Sequence, residues 1–401
     1  MWEQIRSNRV RTVILVSVMG VLLLLVGYFL GLYFFASGIG GLIIALIVWA
    51  VMNLVAFFQG DNILLGLSGA KKISLDDHPR LYNVVEEMKI ASGLEKMPDI
   101  YIIDDPALNA FATGRDPNRA AVAITSGLLQ KLNRDELQGV IGHEISHIKN
   151  RDVLLMAISA VLLGTIVILA WYGSRFLFYG GMTSTRRSSS SKGGSGQLVI
   201  LVVAIVLMIL APIMAQLIYF GISRKREYLA DASSALYTRY PEGLASALEK
   251  LAASTTQLKA ANKATAPMYI INPLHKKGMA ASDLTSTHPP ISERIRVLRS
   301  MTDASFTDYN RSYHQVHKAG REIIAPSVMT TATVVPLRAA KPEATEEEAK
   351  EAKAVRDTTN LLWGLSNYKT VTCDCGTRLR VPPKFKQPTV RCPHCGRINR
   401  V

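Results

Sequence analysis

The sequence predicts a soluble α+β domain set among apolar membrane helices, and three observations predict it. Uncharged apolar runs occur before residue 60 and again between residues 150 and 220. Between and after them lie helix and strand patterns with recognisable caps and turns. Hydrophobic residues make up 49% of the 401, a larger share than a purely soluble chain of this length needs.

No charged residue lies between Arg11 and Gln59. The stretch breaks at Ala36-Ser37-Gly38-Ile39-Gly40-Gly41 into two segments of about twenty residues, each enough for a helix across a hydrocarbon core of about 30 Å. The first is longer than the roughly 7–15-residue core of a cleavable signal and a second follows it, so residues 1–60 read as a transmembrane hairpin. Two further spans are expected at 153–173 and 198–220, separated by Thr183-Ser184-Thr185-Arg186-Arg187-Ser188-Ser189-Ser190-Ser191-Lys192, which has the composition of a flexible linker. None of the four carries a charged residue, which favours anchors over an ion path.

The side holding Arg6, Arg9, Arg11, Lys71, Lys72, Lys149, Arg151, Arg224, Lys225 and Arg226 outweighs the side holding Arg175, Arg186, Arg187 and Lys192. Both termini and the domain are therefore expected in the cytoplasm, with the basic serine loop running against the bias. In a chain with such spans the net charge of +15 suits anionic lipid better than nucleic acid.

The domain proper is expected over 61–310, interrupted by the third and fourth spans. Asp77-His78-Pro79 opens a helix with Leu81, Val84, Val85, Met88 and Ile90 at helical spacing. Asp99–Ile103 and Ala120–Thr125 read as strands, with Asn109–Gly114 between them. A second helix starts at Asn133-Arg134-Asp135-Glu136. Residues 311–370 read as a linker, its Lys341–Glu348 segment a polar connector or solvated helix.

That second helix carries His143-Glu144-Ile145-Ser146-His147. An i, i+4 spacing puts two imidazoles on one helix face to share a metal, with the Glu144 carboxylate beside it. Zinc held by three protein groups keeps a fourth position open and activates water there, and a neighbouring carboxylate can take the proton. A third ligand must come from elsewhere. Glu227 and Asp231 share a face on a second helical stretch, and two readings stand: Glu227 ligates while Asp231 accepts an imidazole N–H, or both pair with Arg224, Lys225 or Arg226 on a solvated face.

All four cysteines, Cys373, Cys375, Cys392 and Cys395, fall in residues 371–401. Two thiol knuckles separated by 16 residues suggest a small zinc ribbon in a reducing compartment, the first knuckle one residue shorter than C-x-x-C. A segment this small needs its metal to fold. Arg378, Arg380, Lys384, Lys386, Arg391, Arg397 and Arg400 offer contacts to lipid headgroups, protein or nucleic acid, the last without base-stacking aromatics to support it.

Five segments, in this order, resemble the HtpX family of membrane-bound heat-shock metalloproteases, related to the CAAX prenyl-protein endoproteases. They are Asn109-Ala110-Phe111-Ala112-Thr113-Gly114-Arg115, Arg134-Asp135-Glu136-Leu137, His143 through Asp152, Ser223 through Ala232, and Thr287-His288-Pro289-Pro290 with Glu293-Arg294-Ile295. The resemblance spans roughly residues 1 to 300 and implies a zincin-like α+β domain with two His and one Glu on zinc. It favours Glu227 as third ligand and Glu144 as general base. It also implies an edge strand at Asn109, Ala110, Phe111 and Ala112 that takes substrate backbone, and His288 and Arg294 near the scissile carbonyl.

The whole reads as a multi-pass zinc endopeptidase of a bacterial-type plasma membrane, and the resemblance implies that it acts on misfolded or damaged membrane proteins. It carries one catalytic zinc and a second, structural zinc in the ribbon. The alternative is an inactive zincin-fold scaffold that recruits partners through the ribbon, against which every catalytic position is filled by a competent residue.

Overall fold

The computed structural model describes residues 2–158, 224–259, 268–271, 288–317, 335–338, 347–374, 378–385, 387–393 and 397–401, with a few isolated residues between them. The expected spans at 153–173 and 198–220, and the serine-rich loop joining them, lie almost wholly outside these residues.

The first two apolar runs form helices α1 (Trp2–Phe35) and α2 (Gly38–Leu67), and both are long and apolar enough to cross a membrane. They turn at Ala36 in the left-handed region (φ 51°), and the Ser37 side chain caps α2 by accepting from Gly40 N. The two run antiparallel at very close range. A Cβ on Gly31 would fall 2.6 Å from Gly41 Cα, and one on Gly27 would fall 2.4 Å from Ala45 Cβ. Small residues four apart on both helices permit this approach, as in membrane helix pairs generally. The faces turned outward stay apolar, with Ile43, Ile47, Val51 and Leu54 exposed.

Past α2 the chain enters a four-stranded sheet, β1 (Ala70–Lys72), β2 (Asp99–Ile103), β3 (Ala110–Asp116) and β4 (Arg119–Thr125), in spatial order β1-β2-β4-β3. β2 and β4 run parallel, while β1 and β3 pair antiparallel with their neighbours. β3 is thus the edge strand expected from Asn109–Gly114. The C-terminal part of α2 packs against it, and the Arg115 guanidinium lies 5.7 Å from each of the Phe57 and Phe58 ring centroids.

Helix α3 (Pro79–Ser92) begins at a buried His78 whose Nδ1 accepts from Leu81 N, and ends at Gly93 in the left-handed region. After the short α4 (Ser126–Lys131), helix α5 (Arg134–Lys149) starts with a full capping box between Asn133 and Glu136. Every α5 residue from Glu136 to Ile148 is buried, because the sheet, α3 and a later helix enclose it. The chain then enters α6 (152–158) and returns as α7 (224–238), α8 (Pro241–Ala253), α9 (Ile291–Arg299) and α10 (Phe306–His317). Helices α5 and α8 cross at Gly139, where a Cβ would lie 2.6 Å from Leu244 N.

The domain runs past the boundary expected at residue 310. Tyr309 is fully buried on α10, Ala304 N donates to Val335 O, and Arg338 pairs with Asp135. The 311–370 stretch is likewise more than a connector. Its helix over Glu347–Leu365 places Leu361 in the main core, with Leu362 and Leu365 packed against it. The physical reason is that these leucines supply an apolar face where the neighbouring sequence is highly charged.

Two hairpins follow: β5 (Lys369–Thr372) with β6 (Arg378–Val381), and β7 (Thr389–Arg391) with β8 (Ile398–Arg400). Cys373 and Cys392 are buried together around Leu379. Cys375 and Cys395 lie outside the described residues.

The Gly139 crossing is directly testable. Gly139→Ala should cost about 1–3 kcal/mol through overpacking against Leu244, seen as a lower thermal midpoint in detergent. Gly364→Ala, with nothing within 4 Å of the new methyl, should leave the midpoint unchanged or raise it.

Candidate metal centre

One helical turn of α5 sets the first two donors. The His143 and His147 rings stand 4.8 Å apart at their centroids, and their Nε2 atoms are 3.2 Å apart. α7 is keyed to α5 where Ser234 Oγ donates to Gly139 O at 2.7 Å, with its backbone close against Gly142. One turn before Ser234 on α7 comes Asp231, and one turn before that comes Glu227. Both carboxylates therefore point at the histidines and are buried, which excludes the reading that they pair with neighbouring basic residues on a solvated face.

Glu227 Oε2 lies 3.5 Å from His143 Nε2, and Glu227 Oε1 lies 3.6 Å from His147 Nε2. A tetrahedron with metal–ligand bonds of 2.0–2.1 Å has edges of about 3.3–3.4 Å, so these donor separations fit a zinc ion with one corner left for substrate or water. Glu227 Oε2 is buried without a hydrogen-bond partner, a costly state for a carboxylate oxygen that a cation would relieve. Among the described residues these three are the group of His, Cys, Asp and Glu side chains close enough to share an ion.

The remaining ring nitrogens are also held. His143 Nδ1 lies 2.9 Å from Asp231 Oδ1, and His147 Nδ1 lies 3.0 Å from Asp152 Oδ2. Each imidazole can donate its Nδ1–H to a carboxylate and leave the Nε2 lone pair free for a metal. Asp231 was expected in this role. Asp152 was not singled out by the sequence, because it sits past the end of α5 on the next helix and its approach to His147 depends on the turn at Arg151, which has a positive φ of 58°.

Arg294, expected near the scissile carbonyl, lies beside the donors, its Nη1 3.7 Å from Glu227 Oε2. Its Nε and Nη2 hold both oxygens of Asp231, at 2.8 and 2.6 Å, and its Nη1 donates to Ile270 O at 3.2 Å. It is fully buried, and its strongest pairing orients Asp231, hence His143. His288 Nε2 lies 3.7 Å from Glu227 Oε2 and faces the centre. Of the expected edge-strand residues, Ala112 is near enough for its backbone N–H to act on the Glu144 carboxyl, against the larger effect of burial.

The electrostatics follow from burial and pairing. Burial raises the Glu144 carboxyl above the usual range against the pull of both histidines, which suits a group that must accept and return a proton. Burial lowers His288 to about 4, so it is neutral near pH 7. Burial alone would raise Asp231, but the Arg294 guanidinium outweighs it and holds the carboxyl low. Glu227 likewise stays well below the carboxylate range, burial being overcome by His288, His143 and His147. In metal-free protein burial would lower His143, yet the facing carboxylates of Asp231 and Glu227 raise it to about 9.

The profile of Peptidase family M48 matches residues 76–302. The protease HtpX homolog of Dictyoglomus turgidum is 48% identical over 300 residues, covering 75% of this chain and 94% of its own. Homologs from Streptococcus pneumoniae and Streptococcus uberis are 45% and 42% identical over 301 residues, covering 75% of this chain and all of theirs. The crystal structure of S. mikatae Ste24p aligns over 74% of this chain and 66% of its own, at 20% identity and a TM-score of 0.40.

Two outcomes follow from the centre. Asp152→Asn should weaken zinc binding about 10–100-fold, read by competition with a fluorescent chelator, since only the support of His147 changes. Zinc must also displace the His143 proton. The raised value means that this proton stabilises metal-free protein fully below about 6.5 and that the contribution fades as pH rises through about 9. Zinc affinity should accordingly rise about tenfold per pH unit between those values, with close to one proton released on binding at pH 7.5 in calorimetry.

Proposed function

The chain belongs to peptidase family M48, as a membrane zinc metallopeptidase of the HtpX type, and on that premise we propose an endopeptidase that cuts polypeptides at the cytoplasmic membrane face. Its substrates on this reading are misfolded or damaged membrane proteins. One observation carries it: three buried donors spaced for zinc, with the Glu144 carboxylate on the same helix beside them.

His143, His147 and Glu227 hold the metal. Zinc, when bound there, supplies Lewis acidity toward a peptide carbonyl and water. Glu144 takes the proton of the attacking water and passes it to the leaving amine, for which its raised affinity is suited. His288, neutral and facing the centre, is the donor best placed for the developing oxyanion. Arg294 acts as a positioning residue through Asp231.

Several features support the membrane face as the place of action. The edge strand β3 lies against the end of α2, with Arg115 over Phe57 and Phe58, so the cleft borders the level at which that apolar helix meets its first charge, Asp61. The proposal includes further spans at 153–173 and 198–220, since α5 leads into one and α7 follows the other, which brings both halves of the centre to one side. It also includes a structural zinc held by Cys373, Cys375, Cys392 and Cys395. The paired hairpins, with Cys373 and Cys392 buried in one small cluster around Leu379, support that.

Glu144→Gln is the test. The variant should keep its catalytic zinc, counted after purification in detergent, and cut an unfolded model polypeptide about 10²–10⁴-fold more slowly than wild type. Equal cleavage by both would remove Glu144 from the chemistry. Zinc-loaded wild type that cuts none of several unfolded polypeptides would overturn the endopeptidase reading.

A further inference from the structure

A peptidase that acts on polypeptide chains must let an extended segment reach its metal. Here the centre is closed: His143, Glu144, His147, Glu227, His288 and Arg294 are each at most 6% exposed. What lies over the edge strand is the chain itself.

The segment Met268–Ile271 runs alongside β3. Ile270 N donates to Ala110 O at 3.0 Å, Asn109 Nδ2 donates to Ile271 O at 3.0 Å, and Arg294 Nη1 donates to Ile270 O. The Tyr269 ring stands edge-on to Phe111 at 5.1 Å, and its hydroxyl is 3.2 Å from Ser68 Oγ at the end of α2. Met268, Tyr269 and Ile270 are at most 4% exposed.

The register of β3 shows what this occupies. Asn109 spends its backbone on Thr125 of β4, donating to the side-chain hydroxyl and accepting from the backbone N–H, so Ala110 and Ala112 are the residues whose backbone groups face away from the sheet. The carbonyls of Ala110 and Ala112 are therefore the outward acceptors, and Ala110 O is the one already taken. A substrate added to this edge as a further strand needs that acceptor. Ile270 already has it, and an Arg294 N–H besides.

We propose that Met268–Ile271 is an intramolecular occupant of the substrate edge, bound through the backbone contacts that a substrate uses, and that polypeptides bind by displacing it. This rests on the endopeptidase reading and deepens it in two ways. The resting enzyme is held back by its own chain. The side chains to be replaced, Met268, Tyr269 and Ile270, also set the substrate class: extended apolar and aromatic segments that fill the same buried space, of the kind that unfolded proteins expose. Folded or highly charged segments would not compete.

Ile270→Pro removes the N–H donated to Ala110. The zinc-loaded full-length variant should cleave an unfolded polypeptide with kcat/KM about tenfold above wild type, the order expected for one net backbone hydrogen bond. The peptide acetyl-Met-Tyr-Ile-Ile-amide should inhibit the variant competitively, and more strongly than it inhibits wild type. A variant that keeps its zinc and thermal midpoint but cuts no faster than wild type would overturn the proposal and make the segment a fixed wall.

Amide exchange keeps the test independent of that substitution. The Ile270 amide should be protected in Glu144→Gln alone and lose protection when the unfolded polypeptide saturates it; protection retained in the complex contradicts displacement. Failure of the endopeptidase reading is distinguishable, because wild type and Ile270→Pro would then both hold zinc and cut nothing.

Discussion

The centre depends on one buried carboxylate, Asp231. It is fully enclosed, accepts both arms of Arg294, and meets the ring of His143 at Nδ1. A buried charge pair of this kind is costly to assemble, and costs still more to break, because the surviving partner is left charged without water. That penalty orients the structure. It fixes the rotation of α7 against α5, and with it the direction of Glu227, and it draws α9 inward so that Arg294 and His288 both meet Glu227 beside the two histidines of α5. A matching carboxylate, Asp152, does the same for His147 from the entry to α6.

The same geometry fits the proposed action at the membrane. α5 passes through the turn at Arg151 into α6, α7 begins where the expected fourth span ends, and the edge strand rests on the last turns of α2. With the proposed spans in place, a metal site assembled from helix ends next to apolar segments would sit at the bilayer surface. The small-residue contact between α1 and α2, with Gly27 and Gly31 against Gly41 and Ala45, gives that anchor a close-packed helix pair on which the domain is mounted.

Much of this was legible in the sequence because it rests on local rules. The capping box at Asn133 and Glu136, the i, i+4 histidines, the strand at Asp99–Ile103 and the break at Ala36–Gly41 each declare themselves within a few residues. Glu227 and Asp231 were legible as a pair but not as ligand and support, since a shared helix face does not say what it faces; that needed α7 laid on α5. Asp152, the commitment of Arg294 to Asp231, and the docking of Leu361 into the core depend on contacts between distant segments, and no local pattern marks them. Nor does anything in Met-Tyr-Ile-Ile announce a segment that lies on an edge strand more than 150 residues earlier.

These relations make the protein a guarded centre. Ligands are preset by carboxylates, the general base is kept in an apolar enclosure that raises its proton affinity, and the acceptor that a substrate strand needs is occupied by the chain itself. The claim beneath all of this is that His143, His147 and Glu227 converge on one zinc ion. The most direct measurement is an anomalous-difference map at the zinc edge from crystals of the full-length protein. A single peak within about 2.0–2.2 Å of His143 Nε2, His147 Nε2 and a Glu227 oxygen is the predicted result. Zinc elsewhere in the chain, with nothing between these three residues, would contradict the account.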